Sequence, residues 1–384
     1  MPPTSFSQVA STDLSLPSDT YIYSLAQNTA GNLATVSSDD SVCFLDRDTL
    51  ASSAKSNQLH TGVTCVTALA DHASSFLTAG RDGAVRCWDP RVAQVAVGAT
   101  KSDKGSGLTA LSCQGHLIAA GTESLKEGLG EVEVLVWDTR KLDLHFSSYT
   151  PLRTFTESHN DTITQLSFHP TQSQVLLSGS TDGLVSLFDT TIADEDDALV
   201  QVLNHSSAIH CAGFISTTEA YAISSDEQLS IYGLNERFVP DQTEEDAPPV
   251  KAFGDVREQL RCSYVVEVVK CFDSSWIAAG NTEGRLLELT PLQDPKSWKL
   301  LQDDRLQFID AHGDEIVRDL VFDSKSQAFY TCGEDGYVRV WTTGTLNERP
   351  ELDAQMDIDN PDGPRTKKRK KTKERREKAR FTPY

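Results

Sequence analysis

Hydrophobic and polar positions follow the short spacing of β-strands along most of the chain. Residues 162–168 alternate apolar and polar side chains, a His-Pro-Thr turn follows, and residues 175–178 and 184–188 form two further apolar runs. Asp182-Gly183 lies between these two runs and predicts a hairpin, because glycine supplies the positive φ that a tight turn requires. No long stretch keeps a period of 3.6 residues, so the pattern indicates β-structure and not helices.

The same strand pattern recurs along the sequence. Residues 159–189, 312–341 and 60–89 align almost position for position, and weaker copies end at Asp46, Asp138, Leu234 and Thr290. Successive units end roughly 43 to 56 residues apart, close to the period of a four-stranded propeller blade. Seven units therefore predict a single all-β ring in place of two or three ordinary domains.

The units resemble WD40 repeats, and this resemblance implies a seven-bladed propeller. In that family a histidine, a serine or threonine, an aspartate and a tryptophan form a hydrogen-bonded tetrad inside each blade, which would satisfy buried polar atoms. The tetrad positions that match are His60, Thr78, Asp82 and Trp88 in blade 2; His159, Ser178, Asp182 and Phe188 in blade 4; His205, Asp226 and Tyr232 in blade 5; and His312, Thr331, Asp335 and Trp341 in blade 7. Blades 1, 3 and 6 lack the histidine, so their bonding must differ.

A narrower resemblance, over about residues 20–342, is to the WD repeat-containing protein 89 family. It is carried by residues 119–123 (AAGTE), 158–170 (SHNDTITQLSFHP), 194–200 (DEDDALV) and 254–258 (GDVRE). This resemblance narrows the family assignment more than it narrows the mechanism.

A closed ring needs a strand from elsewhere in the chain to complete the last blade. We expect this strand to come from the N-terminus, at Ser7–Leu14, with residues 345–352 as the alternative. Either would cover a sheet edge that otherwise invites aggregation.

Charge divides the chain into three parts. The formal charge is −21, yet residues 365–380 contain eleven Lys or Arg and two Glu, a net charge of +9, which leaves −30 for the rest. We therefore predict a propeller at 1–345, an acidic linker at 346–364 and a basic disordered tail at 365–384.

The tail contains a basic pentamer of the kind that import receptors bind, formed by Lys367, Lys368, Arg369, Lys370 and Lys371. It predicts a nuclear, or nucleolar, protein with a cytoplasmic pool. Weak RNA contact through the same charges remains open.

Acidic side chains concentrate in the loops that are expected to emerge on one face of the propeller, the top face. These loops join the second and third strands of each blade, and the last strand of one blade to the first strand of the next. The candidate partner-binding residues are Asp39, Asp40, Glu123, Asp161, Glu283, Asp314, Glu315 and Glu334. They predict attraction of a basic protein partner, with ordinary solubility as the alternative explanation. Further acidic runs at 194–197 and 241–246 are expected on the opposite face.

Nothing in the sequence predicts catalysis. The chain has no G-x-S-x-G, H-E-x-x-H or P-loop motif, and its histidines fall mostly at blade positions. We expect no cofactor and no metal site, eight reduced cysteines, no membrane span and no secretory signal.

The prediction is a monomeric, non-enzymatic scaffold or adaptor of a nuclear complex. The alternative is a chaperone or assembly factor for a basic ribosomal protein. A more distant alternative, a substrate receptor of a ubiquitin ligase, rests on two Trp-Asp-x-Arg motifs: Trp88, Asp89 and Arg91, and Trp137, Asp138 and Arg140.

Overall fold

A computed structural model describes residues 3–57, 60–91, 96–101, 105–125, 130–141, 150–235, 250–293 and 298–343. Within these ranges the chain is built from β-strands arranged as seven blades around a central channel. The predicted all-β, seven-bladed propeller is confirmed. The predicted linker and basic tail, including Lys367–Lys371, lie outside the described residues, as do residues 241–246 and the alternative closing segment 345–352.

Each blade is an antiparallel meander of four strands, which we label a to d from the channel outwards. Strand a lines the channel and strand d lies at the outer rim. The N-terminal strand β1 spans Thr4–Thr12. Blade 1 contains β2 (Ile22–Gln27), β3 (Leu33–Ser37), β4 (Ser41–Leu45) and β5 (Ser52–Asn57). Blade 2 contains β6 (Val63–Ala68), β7 (Phe76–Gly80), β8 (Ala84–Trp88) and β9 (Ala96–Lys101). Blade 3 contains β10 (Leu108–Gln114), β11 (Leu117–Thr122), β12 (Val134–Asp138) and β13 (Arg153–Phe155).

The remaining blades follow the same order. Blade 4 contains β14 (Ile163–Phe168), β15 (Val175–Ser180), β16 (Leu184–Asp189) and β17 (Leu199–Asn204). Blade 5 contains β18 (Ile209–Phe214), β19 (Glu219–Ser224), β20 (Gln228–Gly233) and β21 (Val250–Asp255). Blade 6 contains β22 (Tyr264–Cys271), β23 (Ser274–Asn281), β24 (Leu286–Gln293), a short β25 (Lys299–Leu300) and β26 (Leu306–Ile309). Blade 7 contains β27 (Val317–Asp323), β28 (Ala328–Gly333) and β29 (Val338–Thr342).

Helices are short and lie in connections. α1 (Glu195–Ala198) joins strands c and d of blade 4, and α2 (Arg257–Leu260) joins blades 5 and 6. Two 3-10 turns occupy Thr139–Lys141 and Gln302–Asp304. No described helix has the length and apolar character needed to span a membrane.

The N-terminal strand closes the ring by completing blade 7. Residues Ser7–Thr12 of β1 pair antiparallel with β29, and Thr4–Phe6 pair parallel with β26 of blade 6. The strand thus joins the sheets of two blades, which the sequence did not predict. It begins three residues before the predicted segment, and Leu14 lies beyond its end.

Apolar packing holds the seam between blades 6 and 7. The ring of Phe6 stacks on Phe308 with centroids 5.0 Å apart and meets Phe329 edge-on at 5.2 Å. Phe308 in turn meets Trp341 edge-on at 5.5 Å. Phe6, Phe308, Phe329 and Trp341 are all buried, so β1 contributes side-chain packing as well as backbone pairing.

The turns between strands b and c have the predicted glycine conformation. Gly183 follows Asp182 with φ +85°, and the Asp182 carboxylate accepts the backbone N–H of Leu184 at 2.9 Å. A side chain at this position would adopt an unfavourable backbone conformation. The turn thereby places Asp182 beside the histidine of its own blade.

Strand a of every blade carries a register irregularity near its start, at equivalent positions. Three successive blades place a threonine there. Their hydroxyls donate to a backbone carbonyl of the next blade: Thr64 to Leu108 at 2.7 Å, Thr109 to Ile163 at 2.6 Å and Thr164 to Ile209 at 2.8 Å. These bulges therefore link neighbouring blades around the channel.

Candidate functional site

The tetrads of blades 2 and 7 are continuous hydrogen-bonded chains. In blade 2, His60 Nδ1 lies 3.0 Å from Asp82 and its Nε2 lies 2.7 Å from the Thr78 hydroxyl, which accepts from Trp88 Nε1 at 2.7 Å. In blade 7 the corresponding chain joins His312, Thr331, Asp335 and Trp341 over 2.7–2.9 Å. Both hydrogen-bonded chains connect the turn between strands b and c, on the top face, to the buried tryptophan of strand c.

In each of these two blades an arginine outside the predicted tetrad extends the hydrogen-bonded chain. Arg86 Nη1 lies 2.7 Å from the Asp82 carboxylate, and Arg339 Nη1 lies 2.5 Å from that of Asp335. Each arginine stands four residues after its aspartate in a D-G-x-x-R pattern, so the signal was present in the sequence. Burial pushes the pKa of Asp82 upward, but the His60 hydrogen bond and the Arg86 charge outweigh it and lower the pKa to about 2.

Blade 4 forms the chain without an aromatic donor. His159 contacts Asp182 at 3.0 Å and Ser178 at 2.7 Å, while Phe188 fills the tryptophan position and stacks on Phe155 at 4.4 Å. Ser186 replaces the arginine of blades 2 and 7, and its buried hydroxyl has no partner among the described residues.

Blade 5 departs from the prediction. His205 does not contact Asp226; its ring nitrogens lie 3.0 Å from the Tyr232 hydroxyl and from the backbone carbonyl of Gln228. The reason is Ala222 on strand b, which offers no hydroxyl to the ring. Asp226 is exposed and accepts instead from the Ser207 hydroxyl at 3.0 Å.

Blade 1 replaces the histidine by a second serine. The Ser37 and Ser41 hydroxyls lie 2.6 Å apart, and the Asp39 carboxylate accepts from them at 2.8 and 2.6 Å. Burial raises the pKa of Asp39, but these hydrogen bonds outweigh it and lower the pKa overall. Asp39 therefore has a structural role within its own blade.

The predicted acidic residues of the top face divide into two groups. Glu283, Asp314 and Glu315 are exposed, whereas Asp39, Asp40, Glu123, Asp161 and Glu334 are half-buried.

The half-buried group bonds within the protein. Asp40 accepts the backbone N–H of Val63 at 2.9 Å, and Asp161 accepts that of Thr162 at 2.7 Å. Glu123 pairs with Arg81 at 3.3 Å, and Glu334 pairs with Arg318. These carboxylates already have intramolecular partners.

Five exposed acidic side chains lie in the top-face loops of blades 5–7, while Asp13, Asp19, Glu131 and Glu157 are exposed in the top-face loops elsewhere on the ring. We name this group the acidic patch; it consists of Asp226, Glu258, Glu283, Asp314 and Glu315. The neighbouring Arg257 and Arg285 pair with Asp255 at 2.6 Å and Asp310 at 2.8 Å. Asp226 and Glu258 were not predicted as binding residues, because only the fold brings their loops together with those of blades 6 and 7.

The two Trp-Asp-x-Arg motifs lie where strand c ends, on the bottom face. In each, the arginine folds back on its own aspartate: Arg91 on Asp89 at 2.5 Å and Arg140 on Asp138 at 2.7 Å. Both arginines are exposed, so each motif presents a guanidinium whose planar edge is already occupied.

The central channel is lined by strand a of all seven blades and encloses about 380 Å³. Glu267 and Asp319 lie side by side on its wall and are hydrogen-bonded to each other. The ring encloses both carboxyls, so burial, and then mutual repulsion for Glu267, raises the pKa of each. His210 and Arg318 also line the channel.

The structure shows no group of three or more His, Cys, Asp or Glu side chains arranged for a metal ion among the residues it describes. All eight cysteines lie in described segments and are unpaired. Burial raises the pKa of Cys43 to about 11 and of Cys65 to about 12, which disfavours their reactive thiolate form.

Comparison with known proteins gives consistent results. A family model for "WD domain, G-beta repeat" matches residues 52–89, 149–189 and 304–342, which contain the three units that align best with one another. An uncharacterized WD repeat-containing protein of Saccharomyces cerevisiae is 34% identical over 322 residues, covering 77% of this chain and 76% of the relative.

Two other relatives extend the likeness. An uncharacterized WD repeat-containing protein of Schizosaccharomyces pombe is 29% identical and covers 84% of this chain and 95% of its own. A WD repeat-containing protein 89 homolog of Dictyostelium discoideum is 25% identical, covering 71% of this chain and 69% of the relative.

Proposed function

Because the chain belongs to the WD repeat proteins, we propose that it is a non-enzymatic scaffold that recruits a basic protein partner to the acidic patch. WD40 propellers are generally protein-interaction scaffolds. The observation that carries the proposal is the patch itself, whose carboxylates are exposed to solvent, whereas the other predicted acids of the top face are half-buried.

Electrostatics gives the patch a defined role. Carboxylates on one rigid face attract a basic partner from a distance, raise its rate of association and suppress acidic competitors. The tetrad of blade 7 and the pairing of β1 with β29 hold the surrounding loops in place. We place the resulting complex in the nucleus, on the basis of Lys367–Lys371 in the sequence.

The experiment is a pull-down with mass spectrometry that uses three forms of the full chain. The first is the parent protein and the second carries Glu283→Lys, Asp314→Lys and Glu315→Lys. The third is a control with the same charge change in turns of the opposite face, at Asp48, Asp71 and Asp273, all exposed.

The parent and the control are expected to recover the same basic proteins, and the patch variant should lose them. Partners without a basic bias, or equal recovery by all three forms, would show that the patch is not the binding site.

The same surface also suits a chaperone for a basic ribosomal protein. The two functions differ in stoichiometry: a chaperone holds one client in a simple pair, whereas an adaptor is recovered with several proteins of one complex. Sedimentation of the recovered material at low salt distinguishes them by mass.

A further inference from the structure

A small cleft opens on the bottom face between blades 7 and 1. It encloses about 150 Å³ between the a–b turns of the two blades, and its lining includes Asn28, Arg47, Phe322, Asp323 and Lys325. This face lies opposite the acidic patch, so the cleft is a separate surface.

The acceptor groups of the cleft are already bonded. The Asp323 carboxylate accepts from Arg47 Nη1 at 3.1 Å, from the Ser326 hydroxyl at 2.7 Å and from the backbone N–H of Lys325 at 3.0 Å. Asp323 is buried, with 4% of its surface exposed. A ligand therefore finds little acceptor capacity there.

Donors remain available in the same cleft. Asn28 is 96% buried, and its Nδ2 has no hydrogen-bond partner among the described residues, although its Oδ1 accepts from the Asn32 N–H at 3.0 Å. Lys325 is exposed, and within the described part of the chain its Nζ bonds the Thr29 carbonyl at 3.3 Å. A buried donor without a partner is costly, so an acceptor supplied by a ligand would stabilise it.

The chain makes room for the guanidinium at this point. Gly31 has φ +93°, and a Cβ atom there would lie 2.7 Å from Arg47 Nη1. Any larger residue would displace the arginine from the cleft wall.

An exposed aromatic ring adjoins the cleft. Phe272 lies in the a–b turn of blade 6 and is 41% exposed. The centroid of its ring is 4.7 Å from that of Phe322 in the cleft wall. Phe272 and the next residue, Asp273, have φ +50° and +58°. A two-residue turn with positive φ favours Asn-Gly, so a bulky apolar side chain there is strained.

We propose that the cleft and Phe272 together bind a segment of a partner protein in which an apolar side chain adjoins an aspartate or glutamate. The carboxylate accepts from Asn28 Nδ2 and pairs with Arg47 and Lys325. The adjacent apolar side chain covers Phe272. Charge complementarity between the donors and the carboxylate selects an acidic segment, in contrast to the basic partner proposed for the acidic patch.

Fluorescence anisotropy with the full chain tests this with three labelled peptides that differ at one dipeptide: Phe-Asp, Phe-Asn and Ala-Asp. The Phe-Asp peptide should bind with a Kd on the order of 100 µM. The Phe-Asn and Ala-Asp peptides should each bind at least fivefold more weakly. Equal binding of all three, or no binding of any, would overturn the proposal.

Protein variants locate the site. Phe272→Ser and Lys325→Gln should each weaken Phe-Asp binding about fivefold, since both side chains are exposed enough to replace without loss of the fold. Tyr337→Ser, which removes an exposed aromatic residue from the top face, is the matched control and should leave the Kd unchanged. Unchanged binding by Phe272→Ser and Lys325→Gln would refute the assignment.

The acidic residues 351–359 carry the same chemistry, with Met356-Asp357 and Ile358-Asp359. If removal of residues 351–384 tightened Phe-Asp binding tenfold or more, the occupant would be this segment of the chain itself, which would overturn the assignment to a partner protein. The patch variant with lysine at 283, 314 and 315 should bind the peptide normally, so the two proposals can fail separately.

Discussion

Buried histidines depend on one carboxylate in three of the blades. Asp82, Asp182 and Asp335 each lie within 3.0 Å of the histidine of their own blade. Burial lowers the pKa of His60 and His312 overall, although the neighbouring aspartates partly oppose this shift. The carboxylates therefore stabilise the folded blade by bonding groups that water cannot reach.

Asp335→Ala and Asp182→Ala are expected to destabilise the protein by roughly 2–3 kcal/mol each, because the substitution leaves a buried histidine without its partner. Thermal or urea unfolding measures this. Asp226→Ala is the matched control, since His205 does not contact Asp226, and should change stability by less than about 0.5 kcal/mol. Equal stability of all three variants would contradict the structural role of these aspartates.

Sequence patterns located these residues in blades 2, 4 and 7 and misplaced one in blade 5. A histidine followed at the right spacing by aspartate was present in blade 5, but bonding also requires a hydroxyl on strand b, where Ala222 stands. The spacing of histidine and aspartate identifies a candidate pair. Whether the imidazole contacts the aspartate depends on a hydroxyl group on strand b. The arginines at 86 and 339 were visible in the sequence but had no recognised role without their geometry.

At the scale of the strand, β1 has two edges and both are paired. One edge meets β29 and the other meets β26, so the strand joins the sheets of blades 6 and 7 into one. The sequence indicated an N-terminal closing strand, because a ring needs closure. It did not indicate the second pairing, since parallel contacts of three residues leave no pattern in a sequence.

Phe6→Ala is expected to cost about 3–5 kcal/mol, because the buried ring contacts both Phe308 and Phe329 across the seam. Urea denaturation of the full chain measures the loss. Val202→Ala, on the exposed side of β17, is the control and should be close to neutral. If Phe6→Ala unfolded at the same urea concentration as the parent, the N-terminal strand would not be holding the ring closed.

The strands at the channel carry a pH dependence. The pKa of Glu267 and of Asp319 is raised in the folded protein, so between about pH 4 and the raised values the folded state binds more protons than the unfolded state. Stability contributed by this pair therefore falls as the pH rises. Arg318, His210 and Cys211 also face the channel. They are present in both the parent protein and a variant of Glu267 or Asp319, so they do not account for a difference between the two.

Glu267→Gln removes one carboxyl and should gain stability relative to the parent as the pH rises from 5 to 8. Melting temperatures of both proteins across that range measure the difference. Comparison of the two proteins removes the contribution of the buried histidines, whose lowered pKa values give the opposite slope. A constant difference between the two melting curves at all pH values would exclude a raised pKa for the pair.

At the scale of the molecule, the chain combines an acidic propeller with a basic segment at residues 365–380. Removal of residues 365–384 should abolish nuclear accumulation of a fluorescently tagged protein, because Lys367–Lys371 is the proposed import signal. The purified truncated chain should keep the melting temperature of the parent. Nuclear accumulation that is unchanged by the truncation would remove the import role.

Whole-molecule properties were the most predictable from sequence. Repeat spacing and the Asp-Gly turns predicted the number of blades, because each blade repeats the same local pattern. The surface was less predictable: of the predicted acidic residues, Glu123 and Glu334 bond to arginines that a linear pattern does not place beside them. Exposure depends on neighbouring loops, and so the acidic patch became visible only in the folded ring.

Salt dependence of association tests the proposed recruitment most directly. For the basic partner recovered in the pull-down, the association rate constant is measured by surface plasmon resonance at low and high ionic strength, with the parent chain and the variant carrying lysine at 283, 314 and 315. We predict a fall of about tenfold or more for the parent from 50 to 300 mM NaCl, and a slow, nearly salt-independent rate for the variant. Equal rates for the two proteins at both salt concentrations would contradict recruitment by the acidic patch.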